Sequence, residues 1–325
     1  MYEKHRQNMG IDRRLVHGGF SEKVFLAQSR ALGRLVFVKV LPQRCFPVQP
    51  SSTAPVPSYF CEHDCCSPSY HSRCPDTEVC PVSRVPREVC GLRLAAAVPT
   101  ILQILALHTL VLASGGVGRR WVIVTETFGD NGMDLFDMLG RCEYGDETVA
   151  LVARQLGHQL DALAQIGVSH GDIKPENVMI DTTDNNGKLT AVSLVDFGGC
   201  NMCRTKVTLR HSTGLTGGGG GGGGLVGHKF IYSRGDNPHD ADKMGLVILV
   251  LLLVASEEWY ETVFERLQRR SYRQAIATAV HKSGIVCDAA PRRELELVFR
   301  RYIIDRDYRN VVSFGAIATE LCLFL

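Results

Sequence analysis

The chain has 325 residues, 45% of them hydrophobic and 22% charged, with a formal net charge of +2. This is enough material for one large or two-lobed globular domain, and the near-neutral balance argues against a dedicated nucleic-acid binder. The polar stretch Met1 to Arg14 holds no secretory apolar segment, so the twelve cysteines are expected as reduced thiols in a soluble, intracellular protein.

In chain order, residues 1–11 read as a tail and residues 12–40 as strand, glycine turn, strand, strand. The turn lies in Leu15-Val16-His17-Gly18-Gly19-Phe20-Ser21-Glu22. Val36 to Val40 alternates as a strand and carries one lysine, Lys39, among apolar residues. From 41 to 83, Pro, Ser and Cys crowd together without an apolar period, which marks an insertion. Its Cys61-x3-Cys65 and Cys74-x5-Cys80 pairs, with His63, could bind zinc, but regular finger spacing is absent.

Helical period resumes near Arg84, with Glu88 and Leu92 on one face. Leu92 to Ala113 is long enough to cross a membrane, yet Pro99, Gln103 and His108 interrupt it; it reads as core helix, turn and strand. Trp121 to Thr125 is a short strand. Val152, Leu156, Leu160 and Leu163 recur at helical spacing before Gly167 ends the helix. Gly217 to Gly224 is a run that cannot hold one conformation. Met244 to Ala255 is too short to span a bilayer and reads as a buried helix. The arginines of 266–273 and of 292, 293, 300 and 301 are interleaved with Glu265, Glu294, Glu296 and Asp305, so they read as solvated helix faces.

The chemistry concentrates in His170-Gly171-Asp172-Ile173-Lys174-Pro175-Glu176-Asn177, followed by Val195-Asp196-Phe197-Gly198. Phosphoryl transfer from a nucleotide needs a carboxylate to orient the attacking hydroxyl, a cation near the moving phosphate, and oxygen ligands for Mg²⁺. The two motifs, in this order and spacing, resemble the catalytic and metal loops of eukaryotic-type protein kinases. That resemblance covers residues 12–40 and 84–325. It implies an α+β, two-lobed protein kinase-like fold, with a small β-rich N-lobe (12–125), a hinge (126–129) and a larger helical C-lobe (130–325).

It also implies an ATP-dependent, Mg²⁺-dependent Ser/Thr protein kinase acting on protein substrates, with no specific nucleic acid or membrane partner. Asp172 would orient the substrate hydroxyl, and Lys174 would neutralise the transferred group. Asn177 and Asp196 would hold Mg²⁺ through oxygen. Lys39, paired with Glu88, would grip the α- and β-phosphates under the glycine turn of Gly18 and Gly19. Val24 and Met179 would line the adenine slot, and backbone groups from Glu126 onward would meet the adenine edge. Asp240, ahead of Gly245, resembles the helix aspartate that braces the catalytic loop. Arg309 resembles the arginine that normally pairs with an Ala-Pro-Glu glutamate; here that tripeptide is missing and Asp236 is the candidate replacement.

Several positions depart from the pattern. Aligned on Gly18, the flanking glycines of the phosphate loop become Val16 and Ser21. Gly171 stands where an arginine usually receives an activation-segment phosphate, so control by such a phosphate has no obvious receiver. Phe37 replaces a small alanine on the same strand face as Lys39. Two other readings therefore stay open: a pseudokinase acting as a binding scaffold, and a small-molecule phosphotransferase, whose loop also begins His-Gly-Asp but usually lacks the lysine at Lys174.

Overall fold

The computed structural model describes residues 11–18, 23–41, 86–112, 118–129, 132–139, 144–183, 188–202, 237–284 and 288–325. Gly19, the insertion beyond Leu41, the poly-glycine run and Asp236 lie outside them. The chain divides into two compact units: Met1–Met133 with Met179–Met202, and Asp134–Val178 with Cys203–Leu325. The first is β-rich and the second helical, the α+β class expected from the sequence.

In the first unit, β1 (Ile11–Gly18), β2 (Lys23–Ser29), β3 (Arg34–Val40), β4 (Ile104–Leu112) and β5 (Gly118–Glu126) form one sheet in the order β1-β2-β3-β5-β4. The pairings of β2 with β3, of β3 with β5 and of β4 with β5 are antiparallel, so residues opposite each other share a face. One face gathers Phe25, Ala27, Val36, Val38, Val40, Val122 and Val124 into a buried cluster. The alternation then puts Lys39 on the other face, opposite Val24 on β2 and Ile123 on β5, with Phe37 opposite Leu26 and Thr125. Helix α1 (Arg87–Ala95) buries Val89, Leu92 and Ala95, and Glu88 in its first turn complements the helix dipole. The strands β6 (Val178–Thr183) and β7 (Lys188–Leu194) pair as neighbours.

The helical unit contains α2 (Leu135–Leu139), α3 (Asp146–Gln165), α4 (Pro238–Val254), α5 (Ser256–Gln268), α6 (Tyr272–His281), α7 (Ala289–Ile303) and α8 (Phe314–Cys322). Val152, Leu156, Leu160 and Leu163 are all buried on α3, as their spacing predicts. Where α3 meets α8, Gly157 lets the backbones approach; a Cβ there would stand 2.9 Å from that of Ala318. Asp161 satisfies the first amides of α8, accepting from Phe314 N–H at 2.8 Å and Gly315 N–H at 2.9 Å.

α4 is apolar nearly all round and packs against α3, α5, α6, α7 and α8, which makes it the centre of the unit. It begins six residues before the apolar run seen in the sequence. Asn237 caps it by accepting from His239 N–H at 3.1 Å, and Pro238 fills the first helical position. The polar run His239 to Lys243 hid this start, yet His239, Asp242 and Lys243 are all buried. No helix among the described residues is long and apolar enough to cross a membrane.

Candidate active site

Each unit carries one group of the residues singled out above. In the β-rich unit, the pleat of β3 brings Lys39 to Glu88, in the first turn of α1, with Nζ to Oε1 at 2.8 Å. The same ammonium reaches Asp196 Oδ1 at 2.9 Å. One cation thus serves two carboxylates. Lys39 and Glu88 are largely buried, while the Asp196 side chain remains 34% exposed.

Asp196 sits in the left-handed region (φ 63°), uncommon for a residue with a side chain, and its Oδ1 also accepts from Gly198 N–H at 3.2 Å. The following 3₁₀ turn, Phe197–Gly199, packs against α1 at Gly91. A Cβ on Gly91 would collide with Cys200 Sγ and lie 3.2 Å from Phe197 Cβ. Gly91 and Cys200 were not singled out from the sequence, because a glycine inside a helix reads only as a weak helix former.

In the helical unit, the loop after α3 turns at Gly171 (φ 79°), a conformation open to glycine at little cost. Asp172 Oδ2 meets Lys174 Nζ at 2.9 Å and accepts from Asn177 Nδ2 at 3.0 Å. Asn177 Nδ2 also donates to the Asp172 carbonyl at 2.9 Å, which leaves its Oδ1 out of these bonds. That free carbonyl oxygen is the type of donor a hard cation takes. Among the described residues there is no group of three or more His, Cys, Asp and Glu that could hold a metal by itself.

The brace of this loop is Asp242, and this corrects the assignment to Asp240. His170 N–H donates to Asp242 Oδ2 at 2.6 Å and Gly171 N–H to Oδ1 at 2.7 Å. Asp240 instead pairs with Lys243 at 3.2 Å, and Lys243 also donates to the Val311 carbonyl at 2.9 Å. An opposite-charge pair three residues apart on one helix is the signal that could have set Asp240 aside. The Asp242 pKa is raised to about 7, chiefly by burial and to a lesser degree by the nearby charge of Asp172, against the two amide bonds that lower it.

The remaining candidates fall as follows. Gly18 ends β1 opposite Lys23, and Val24 lies opposite Lys39. Met179 is buried near the start of β6. Glu126 ends β5; its N–H donates to the Gln103 carbonyl at 3.2 Å, its own carbonyl accepts the Thr125 hydroxyl at 3.2 Å, and its carboxylate pairs with Arg34 at 3.3 Å. Beyond it, Gly129 is left-handed (φ 61°), and a Cβ there would collide with the Asp181 carboxylate. Arg309 stacks near Tyr308, 6.0 Å from its ring centre.

The β-rich unit thus holds a lysine paired with a helix glutamate and a loop aspartate, and the helical unit holds an Asp-Lys-Asn loop braced from a buried helix. The protein kinase domain family model matches residues 83–216. The chain is 31% identical over 144 residues to the serine/threonine-protein kinase CHK1 of Mycosarcoma maydis, covering 44% of this chain and 20% of that protein. It is 30% identical over 97 residues to casein kinase I homolog 1 of Schizosaccharomyces pombe, covering 30% of this chain and 21% of that protein. The chain therefore spans about a fifth of the length of each of these relatives. Among solved structures, the kinase domain of PknI from Mycobacterium tuberculosis aligns over 97% of this chain and 96% of that one, at 14% identity and a TM-score of 0.49. Residues 83–216 are thus similar to the protein kinase domain.

Proposed function

We propose that this protein is a serine/threonine kinase that transfers the γ-phosphoryl group of ATP to hydroxyls of protein substrates. The observation that carries the reading is the Asp172 carboxylate, shared at one oxygen by Lys174 and Asn177. A scaffold has no chemical need for this set. In the proposed reaction Asp172 orients the substrate hydroxyl and takes up its proton, while the Lys174 ammonium offsets charge on the group in transfer. Lys39, fixed by Glu88, binds the α- and β-phosphates. Mg²⁺, when bound, would draw charge off the phosphate oxygens; the resemblance assigns its holding to Asn177 and to the partly exposed Asp196 carboxylate.

The pseudokinase reading keeps one specific support. Phe37 shares a sheet face with Lys39, and its half-buried ring occupies space that a small residue would leave open.

Incubation with labelled ATP, Mg²⁺ and generic protein substrates decides between the readings. Wild type should label Ser and Thr, and Asp172→Asn should lose at least about a hundredfold in rate. Adding Lys39→Met to that variant should cost little more, since residues acting as a unit are not additive. Phosphotransfer by Asp172→Asn at the wild-type rate would sink the assignment.

A further inference from the structure

The corner between α5 and α6 carries four arginines, Arg266, Arg269, Arg270 and Arg273, against a single glutamate, Glu265. Arg266 is structural: it donates to the Gln274 carbonyl at 3.2 Å and to the Thr278 hydroxyl, tying α6 to α5. The other three are exposed. Glu265 pairs with Arg269 at 3.3 Å, with side chains 60% and 76% exposed, so the pair offsets little charge.

Two of these three arginines sit where local stability favours another residue. α5 closes with Ser271 N–H donating to the Arg266 carbonyl at 2.8 Å and Arg270 N–H to the Leu267 carbonyl at 3.0 Å. That pattern forces Arg270 into the left-handed region (φ 59°), where glycine is the low-cost choice. Arg273 is the second residue of α6, whose first turn holds no acidic residue and whose N-cap, Ser271, makes no side-chain capping bond. A cation there opposes the helix dipole; Arg269, at the end of α5, is the one that a dipole favours. Charge held against local preference points to what the surface meets.

We infer that Arg269, Arg270 and Arg273 form a docking surface for an acidic segment of a partner protein. Guanidinium forks pair bidentately with carboxylates, and three around one corner suit a short acidic run. The exposed Glu258 and Glu261 further back on α5 would repel the long phosphate track of a nucleic acid. The surface lies within the helical unit, and its test reads binding, so it stands apart from the phosphotransfer reading.

The full chain is titrated with a fluorescein-labelled oligoglutamate peptide at low salt, followed by anisotropy. Wild type should bind saturably, more weakly as salt rises, and Arg270→Gly with Arg273→Glu should lose at least about tenfold in affinity. The same double variant should melt no lower than wild type, because glycine suits position 270 and glutamate suits the first turn of α6. A lower melting temperature would show the arginines serving the fold and overturn the proposal. Unchanged peptide affinity overturns it too, as does tighter binding of a single-stranded DNA oligonucleotide of matched charge.

Discussion

Asp242 is a carboxyl group buried beneath two backbone amides, and its position gives it a measurable pH signature. Its folded pKa of about 7 lies above its ordinary value of 3.8, so the folded chain keeps a proton that the unfolded chain has lost between those limits. The stability it contributes is complete below about pH 4 and is lost as pH rises through about 7, at up to about 1.4 kcal/mol per pH unit. Urea unfolding from pH 4.5 to 7.5 should show this slope in wild type and lack that part of it in Asp242→Asn. Parallel curves for the two proteins would mean that burial does not raise this pKa.

Phe37 is the residue at which the proposed nucleotide site is most directly tested. If its ring fills space on the Lys39 face that adenine would use, Phe37→Ala should tighten ATP binding while lowering the melting temperature. The stability loss should fall below the roughly 3–5 kcal/mol of a fully buried phenylalanine, because this ring is only half-buried. Opposite movement of affinity and stability is the informative result. Weaker ATP binding by the alanine variant would show the ring supporting the pocket, and the scaffold reading would lose its main support.

At the scale of elements, α1 and the turn after Asp196 are set by one close approach. Gly91 costs α1 about 1 kcal/mol of helix propensity relative to alanine, yet a methyl group there collides with Cys200 Sγ. Gly91→Ala should therefore lower stability despite its better propensity. Cys200→Ala in the same background should recover much of the loss, because it removes the colliding sulfur. Denaturant unfolding of the four proteins in this cycle measures the coupling, and additive effects would show that the helix and the turn adjust independently.

For the whole molecule, the segment from 42 to 83 shows no core-forming period, so it should be dispensable to the rest of the chain. Leu41 should be retained, since it is buried and its N–H donates to the Trp121 carbonyl at 2.9 Å. Replacing 42–83 with a short Gly/Ser linker should leave the melting temperature within a few degrees. Loss of folding, or of a stoichiometric zinc, would show the cysteines to be structural.

The sequence by itself determined the strands around Lys39, the helix of Val152 to Leu163, and the loop from His170 to Asn177. In each of these the information is local: a period of two, a period of about 3.6, or contiguous residues whose chemistry needs one another. Only the tertiary structure decided which aspartate braces the loop. Asp240 and Asp242 stand about 200° apart around one helix, and the choice between them depends on how α4 is rotated toward a backbone 72 residues away in sequence. The same holds for Gly91 and Cys200. Their fit is a matter of a missing Cβ meeting a distant sulfur, and packing at that range leaves no periodic trace in the chain.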